Sequence, residues 1–269
     1  MENAIIILVS YLLSSSMFIF WVSKGGFNRK YLYTDNLTLG TISAILGLLL
    51  YHQIDIHIGI FSLIILPFIV FFLFVGLFLY RFFRNPKRVI LGDKNDIVAP
   101  ADGRIIYIKE LEVNQTPVSI KKMRVANISE ITKTDILSQP CYLIGIAMTL
   151  FDVHYNRAPI DGDIILVKHT KGTAIGLNTP ESTLTNERNT VVFKRQDGIM
   201  AGIVQIAARG VTRCIVMAKE GSNVKRGEII GKIRWGSQTD LIIPRDSIIL
   251  VREGEQIHAG STIVAKLNK

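Results

Sequence analysis

The sequence is poor in the residues from which many reactive centres are built. It has only two cysteines, Cys141 and Cys214, set 73 positions apart with no C-x-x-C spacing. That excludes a disulfide scaffold, a metal knuckle and a dithiol redox pair, and it suits a reducing compartment. There are five histidines. His154 alone stands among other reactive side chains, and no second histidine or cysteine lies near it at metal-ligand spacing, so no metal is expected. No G-x-S-x-G elbow occurs, which removes support for a hydrolase serine. Charge is scarce at one end. Residues 1–83 hold only Lys24, Arg29, Lys30 and Arg81 against Glu2, Asp35 and Asp55, out of 31 basic and 22 acidic side chains in the 269-residue chain. A mean hydropathy of +0.34 beside 20% charged residues therefore describes a membrane segment joined to an ordinary soluble domain.

Three apolar runs occupy that first part. Ala4–Val22 and Ile58–Tyr80 are long enough to cross about 30 Å of hydrocarbon, and Leu37–Tyr51 is a shorter run that either spans or re-enters. A cleaved signal peptide fits poorly, because Glu2 stands where a basic n-region belongs. Lys24, Arg29 and Lys30 follow the first run, and Arg81, Arg84, Lys87 and Arg88 follow the third, whereas the loop between the second and third carries only Asp55. Basic loops remain in the cytoplasm. The expectation is a multi-pass cell-membrane protein, with residues 1–83 forming about three transmembrane helices and residues 84–269 facing the cytoplasm. The collar Arg81–Arg88 reads either as a simple stop-transfer flank or as a surface for anionic headgroups.

Beyond residue 97 the apolar runs are short, rich in Ile and Val, and punctuated by Gly, Asp, Asn and Pro, with no sustained helical period. That pattern predicts a mainly β domain. Two internal echoes refine it. Ala99-Pro-Ala-Asp-Gly-Arg-Ile-Ile returns as Ala158-Pro-Ile-Asp-Gly-Asp-Ile-Ile. Lys219-Glu-Gly-Ser-Asn-Val-Lys-Arg-Gly returns as Arg252-Glu-Gly-Glu-Gln-Ile-His-Ala-Gly. Both resemble the halves of a biotinyl/lipoyl barrel-sandwich, so the fold expected is a duplicated, interleaved, antiparallel barrel-sandwich-like β domain behind the helical segment. A carrier domain is excluded, since no lysine sits between two methionines or within Asp-Lys-Ala. Residues 127–137 are expected to form one helix or a loop.

Two stretches carry chemistry. Phe151-Asp-Val-His-Tyr-Asn-Arg-Ala-Pro159 packs an acid, an imidazole, an amide and a guanidinium into six residues, a polar density that seldom serves a core. Gly236-Ser237 is the one Gly-Ser pair of three outside the repeated unit, which holds Gly221-Ser222 and Gly260-Ser261.

Six blocks occur in order: Arg81-Phe-Phe-Arg-Asn-Pro-Lys-Arg88, Val98-Ala-Pro-Ala-Asp-Gly-Arg104, the Phe151–Pro159 stretch, Asn186-Glu-Arg-Asn189, Gln205-Ile-Ala207 and Gly231-Lys-Ile-Arg-Trp-Gly-Ser237. As an ordered set they resemble phosphatidylserine decarboxylases of the short, membrane-anchored form, across residues 81–267. The resemblance implies self-cleavage between Gly236 and Ser237. Ser237 attacks the Gly236 carbonyl, and elimination from the resulting ester leaves a pyruvoyl group, the covalent cofactor, at the new chain end. It implies decarboxylation of phosphatidylserine to phosphatidylethanolamine by a two-chain heterodimer, which further assembly is free to enlarge. His154 is then the proton donor, Asp102 the acid, base or orienting group of self-cleavage, and Asn156 and Arg157 the substrate contacts. Three departures stand out. Residues 111–138 are longer than the usual connection, the membrane part has an extra span, and Arg157 replaces a second histidine. Arginine is no base at neutral pH, so the activation of Ser237 is open among His154, Asp102 and strain. Two other readings are a non-catalytic membrane-tethered binding module and the same chemistry on an archaeal-type phosphoserine ether lipid. Nucleic acid is not an expected partner, because the basic residues lack aromatic interleaving.

Overall fold

A computed structural model describes residues 1–24, 30–111, 128–135, 137, 139–173, 185–207, 214–233 and 238–268. The chain divides into two compact units, Met1–Arg84 with Thr149–Phe151, and Asn85–Met148 with Asp152–Lys269.

The first unit holds three helices long and apolar enough to cross a membrane: α1 (Glu2–Lys24), α2 (Lys30–Tyr51) and α3 (Ile58–Phe83). Small and polar side chains fasten α1 to α2. Tyr11 and Thr41 share a 2.7 Å hydrogen bond, Ser14 donates to Asn36 Oδ1 at 2.5 Å, and Asn36 Nδ2 donates to Ser15 at 3.0 Å. Such contacts hold helices together where lipid removes the hydrophobic drive. Arg81 on α3 grips Asp35 on α2 through Nε at 2.9 Å and Nη2 at 2.6 Å. The first turns of α3 loosen into a π-turn at Phe61–Ile65. Pro67 follows one residue later, and its missing N–H leaves the i→i−4 ladder one bond short.

Among the described residues the second unit is built from strands, with one short helix, α4 (Ile128–Thr132), inside the span set for a helix or a loop. In chain order the strands begin with β1 (Asp96–Val98), β2 (Gly103–Leu111), β3 (Cys141–Ala147), β4 (Tyr155–Arg157), β5 (Gly162–Thr170), β6 (Arg188–Lys194) and β7 (Met200–Ile206). They continue with β8 (Cys214–Val216), β9 (Asn223–Val224), β10 (Ile229–Ile233), β11 (Gln238–Pro244), β12 (Ile248–Ile249), β13 (Gln256–Ile257) and β14 (Ile263–Lys266). Eight form one antiparallel sheet in the order β13-β2-β3-β11-β7-β6-β5-β9. Two three-stranded sheets accompany it, β1-β14-β12 and β4-β10-β8.

The duplication is written into these pairings. The large sheet reads the same from either end once β13, β2, β3 and β11 are matched with β9, β5, β6 and β7. The small sheets match likewise. One copy thus consists of β1–β3 with β11–β14, and the other, β4–β10, is inserted within it. Equivalent atoms make equivalent bonds. Ile105 N–H donates to the Glu255 carbonyl and Ile164 N–H to that of Ser222, both at 2.9 Å. Each long strand shifts register at matching positions, Ile105/Tyr107 in β2 and Ile164/Leu166 in β5. Gly103 and Gly162 open those strands with φ of +153° and +148°, and a Cβ on either would strike a facing backbone carbonyl, of Ala147 or Lys194. Only glycine meets both demands.

Both faces of the large sheet are covered. One carries Ile105, Ile144, Ile146, Val191, Ile203 and Leu241 in the main apolar core, and the other carries Leu143, Val192, Val204 and Ile242 beneath Ile131 of α4. Burial on two sides explains why β11 reads as the continuous run Leu241-Ile242-Ile243 rather than as an alternation.

Candidate active site

Residues 234–237, including Gly236 and Ser237, lie outside the described residues, but both flanks are placed. Upstream, β10 ends at Ile233, which pairs with Cys214 on one side and donates its N–H to the His154 carbonyl at 3.0 Å on the other. Downstream, Gln238 opens β11 between Ala147 of β3 and Ile206 of β7. Met148 and Ala207, the next residues on those neighbours, join Ile233 in the buried apolar core.

His154 therefore stands beside the upstream flank, just before β4, and is buried. Its Nδ1 lies 2.8 Å from the Asp152 carbonyl oxygen. A carbonyl only accepts, so Nδ1 carries the hydrogen, and Nε2 is the nitrogen left to take up and return a proton. Gln256 Nε2 holds the Asp152 carboxylate at 3.0 Å.

Asn156, two residues on, sits at the centre of a buried chain of side chains. Its Nδ2 donates to Thr239 Oγ1 at 3.1 Å, and its Oδ1 accepts from Gln205 Nε2 at 2.8 Å. Gln205 Oε1 accepts from Asn189 Nδ2 at 3.1 Å, and that nitrogen also donates to the Cys214 carbonyl at 2.9 Å. His169 Nδ1 closes the chain on Asn189 Oδ1 at 2.8 Å and borders an open cavity of about 720 Å³ lined also by Lys171, Glu187 and Cys214. Burial pushes the Cys214 thiol up to about 12, so it is no nucleophile at neutral pH.

Asp102 and Arg157 belong to a second cluster. Asp102 immediately precedes β2, at the end of the large sheet where Gln238 enters it. It is buried, and it accepts from Arg88 Nη2 at 2.6 and 2.9 Å and from the Ala259 N–H at 2.8 Å, with His258 Nδ1 at 3.4 Å. Burial alone would raise its carboxyl. The His258 contact, the Arg88 charge and the Ala259 amide outweigh burial and hold it below the ordinary carboxylate range. Arg157 spends its guanidinium on protein: Nη1 donates to the Gly227 carbonyl at 2.8 Å, and Nη2 to Asn85 Oδ1 at 3.1 Å and the Pro86 carbonyl at 3.5 Å. Burial, then the nearby Arg88 charge, lowers its pKa.

A third cluster lies on the opposite face of β11. Tyr107 O–H and Gln238 Nε2 donate to Asp240 Oδ1 at 2.8 and 2.6 Å. Full burial raises the Asp240 carboxyl to about 6 against these donors and the Arg188 charge.

The structure thus joins His154 and Asn156 to the flanks of the Gly-Ser segment and sets Asp102 and Arg157 together with Arg88. The sequence reading gave no role to Thr239, Gln205, Asn189, His169 or His258. The signal available was polarity inside apolar strands, as in Asn189-Thr-Val-Val-Phe and Gly202-Ile-Val-Gln-Ile. Among the described residues, no group of three or more His, Cys, Asp or Glu side chains is arranged to hold a metal ion.

Comparison with known proteins gives these residues a context. The family described as "Phosphatidylserine decarboxylase" matches residues 75–265. A "Putative archaetidylserine decarboxylase proenzyme" of Methanocaldococcus jannaschii is 40% identical over 70% of this chain and 89% of its own. A "Phosphatidylserine decarboxylase proenzyme" of Pelobacter propionicus is 32% identical over 77% of this chain and 84% of its own. Its counterpart in Magnetococcus marinus is 31% identical over 69% and 76%.

Proposed function

This chain belongs to the phosphatidylserine decarboxylase family, and from that premise we propose that it is a membrane-bound carboxy-lyase that cuts itself between Gly236 and Ser237 and converts phosphatidylserine to phosphatidylethanolamine and CO₂. The observation that carries the site is the buried, tautomer-fixed His154, whose own carbonyl holds the residue that leads into the Gly-Ser segment.

The surroundings fit a pyruvoyl group derived from Ser237. One imidazole stands ready to hold a proton, and Met148, Ala207 and Ile233 are buried carbon that keeps water away. Such a group supplies the electron sink for loss of CO₂ that standard side chains lack. His154 Nε2 supplies the proton that replaces the lost carboxylate. The same nitrogen is the better base for Ser237, because Asp102 is held as an ion by Arg88 and the Ala259 amide and binds a proton weakly. Asn156 and Arg157 have their polar groups engaged by protein. We read them as residues that shape the site, with Asp102 orienting its neighbours.

The substrate is a phospholipid within the bilayer. A second reading, the same reaction on a phosphoserine ether lipid, is favoured by the 40% identity to the archaetidylserine-named relative. Turnover of diacyl and diether substrates in matched micelles decides between them. We read the catalytic unit as facing the cytoplasm: the Arg81–Asp35 bond sets Arg81 near the Lys30 end of α2 within the helical unit, and basic ends stay in the cytoplasm.

Intact-mass measurement tests the core of the proposal. Residues 1–236 and 237–269 should appear as separate fragments, the smaller without a free amine and reactive toward hydrazines. Ser237→Ala should stay full length and inactive. Ser261→Ala should mature normally, because Gly260-Ser261 forms a tight turn with Gly260 at φ +74° and Ser261 N–H on the His258 carbonyl. An uncut chain that still decarboxylates would sink the proposal.

A further inference from the structure

The two flanks of the Gly-Ser segment lie in different sheets. β10, upstream, is the middle strand of β4-β10-β8, and β11, downstream, is central to the large sheet; the two are not hydrogen-bonded to each other as strands. In the uncut chain the backbone between them fixes their relative place. Once it is cut, other bonds must do so.

The buried amide chain spans this gap. Asn156 on β4 donates to Thr239 on β11, Gln205 on β7 donates back to Asn156, and Asn189 on β6 donates to the carbonyl of Cys214 on β8, the residue paired with Ile233. Each of these three bonds crosses from one sheet to the other. Together they tie the upstream flank, the strand that follows His154 and the downstream flank into one buried unit.

The direction of the chain is also set. The Cys214 carbonyl can only accept, so the nitrogen of the Asn189 amide faces it and the oxygen faces His169. Gln205 must then accept from Asn189 and donate to Asn156, which leaves the Asn156 nitrogen for Thr239. Aligned head to tail, the dipoles reinforce one another in a dry interior. A carboxylate at position 205 has the right shape but no hydrogen to give Asn156, and breaks the chain at its centre.

We infer that Asn189 and Gln205 are positioning residues that, through Asn156 and Thr239, hold the two ends created by self-cleavage in register with His154. The inference rests on the proposed cleavage, and its loss should be felt in turnover more than in substrate binding. A displacement near 1 Å costs about 10²-fold in rate.

The test uses full-length protein in detergent and scores three quantities: fraction cleaved, kcat per cleaved chain and KM. Gln205→Glu, Asn189→Asp and Thr239→Val should lower kcat per cleaved chain by about 10- to 100-fold with KM changed less than about threefold. Thr239→Ser keeps the acceptor and should retain wild-type kcat. Tyr107→Phe removes two buried bonds on the opposite face of β11, the one it donates to Asp240 and the one it accepts from Gln238, and should leave kcat per cleaved chain unchanged. Should Gln205→Glu fail to fold, the Thr239 pair decides: a slow Val variant beside a normal Ser variant supports the bridge. Cleaved Thr239→Val with wild-type kcat overturns it, as does an equal fall in Tyr107→Phe. A wild-type chain that is never cut overturns both this inference and the function on which it rests. A wild type cut and active beside indifferent variants overturns the inference alone.

Discussion

Arg88 reaches both carboxylate oxygens of Asp102, at 2.6 and 2.9 Å, from within the basic stretch whose two readings are a stop-transfer flank and a headgroup surface. Arg81 of the same stretch is likewise committed, to Asp35. Two of its four cations are therefore internal ties, and only Arg84 and Lys87 remain candidates for the membrane surface.

Breaking the Arg88–Asp102 pair should be costly, because Asp102 is buried. Arg88→Met should lower unfolding stability by about 3 kcal/mol, the usual loss when one member of a buried pair is removed. The pH dependence has a definite sign. Asp102 is held below its ordinary value, so its contribution is present above that value and is lost as pH falls through the folded-state value. Thermal unfolding from pH 5 down to pH 2 should show a shallower loss in Asp102→Asn than in wild type. Equal slopes would remove Asp102 from the acid transition.

Asp240 should behave in the opposite sense. Its folded-state value of about 6 exceeds the ordinary 3.8, so the folded protein binds that proton more tightly. Its stabilisation is complete below about pH 4 and disappears as pH rises through 6. Asp240→Asn still accepts from Tyr107 but cannot titrate, and its stability should lose this slope between pH 4 and 6. A slope unchanged from wild type would count against a titrating Asp240.

His154→Ala separates two duties. Slower cleavage would report the base that activates Ser237, and a fall of about 10²- to 10⁴-fold in kcat per cleaved chain would report the proton donor. Fragment ratios on denaturing gels and CO₂ release measure the two independently. Turnover equal to wild type would remove His154 from the chemistry.

Membrane orientation is accessible to labelling. Single cysteines at Gly26 and Lys87 should react only with reagents that reach the cytoplasm, and one at Ile54 only from the opposite side. Labelling of positions 26 and 87 from different faces would refute the three-pass arrangement.

The architecture was legible because the duplicated turns need glycine. The echo of Asp102-Gly103 in Asp161-Gly162 records a φ and a close carbonyl that no other residue tolerates. The three long apolar helices were legible from length and apolarity alone. Side-chain partnerships were not. Nothing local ties Arg88 to Asp102 or Asn189 to Gln205, since each pair meets only when separate strands or a linker come together. Half of the His169 side chain is exposed, yet its Nδ1 is committed to Asn189. His258 read as a substitution at a repeat position, and the contact with Asp102 appears only once β13 lies beside β2.

The insertion of one β copy within the other gives the proposed cut an unusual topological setting. Positions 236 and 237 fall on the seam where the chain leaves the inserted copy and resumes the interrupted one. The cut falls between β10, the last strand of the inserted copy, and β11, where the outer copy resumes. The short fragment would carry β11–β14, four of the seven strands of that outer copy, paired with β1, β2 and β3 of the long fragment and, through β11, with β7 of the inner copy. It could depart only by breaking those strand pairings. Two chains born from one would in that case be permanent partners, with a dissociation constant that has no meaning short of global unfolding.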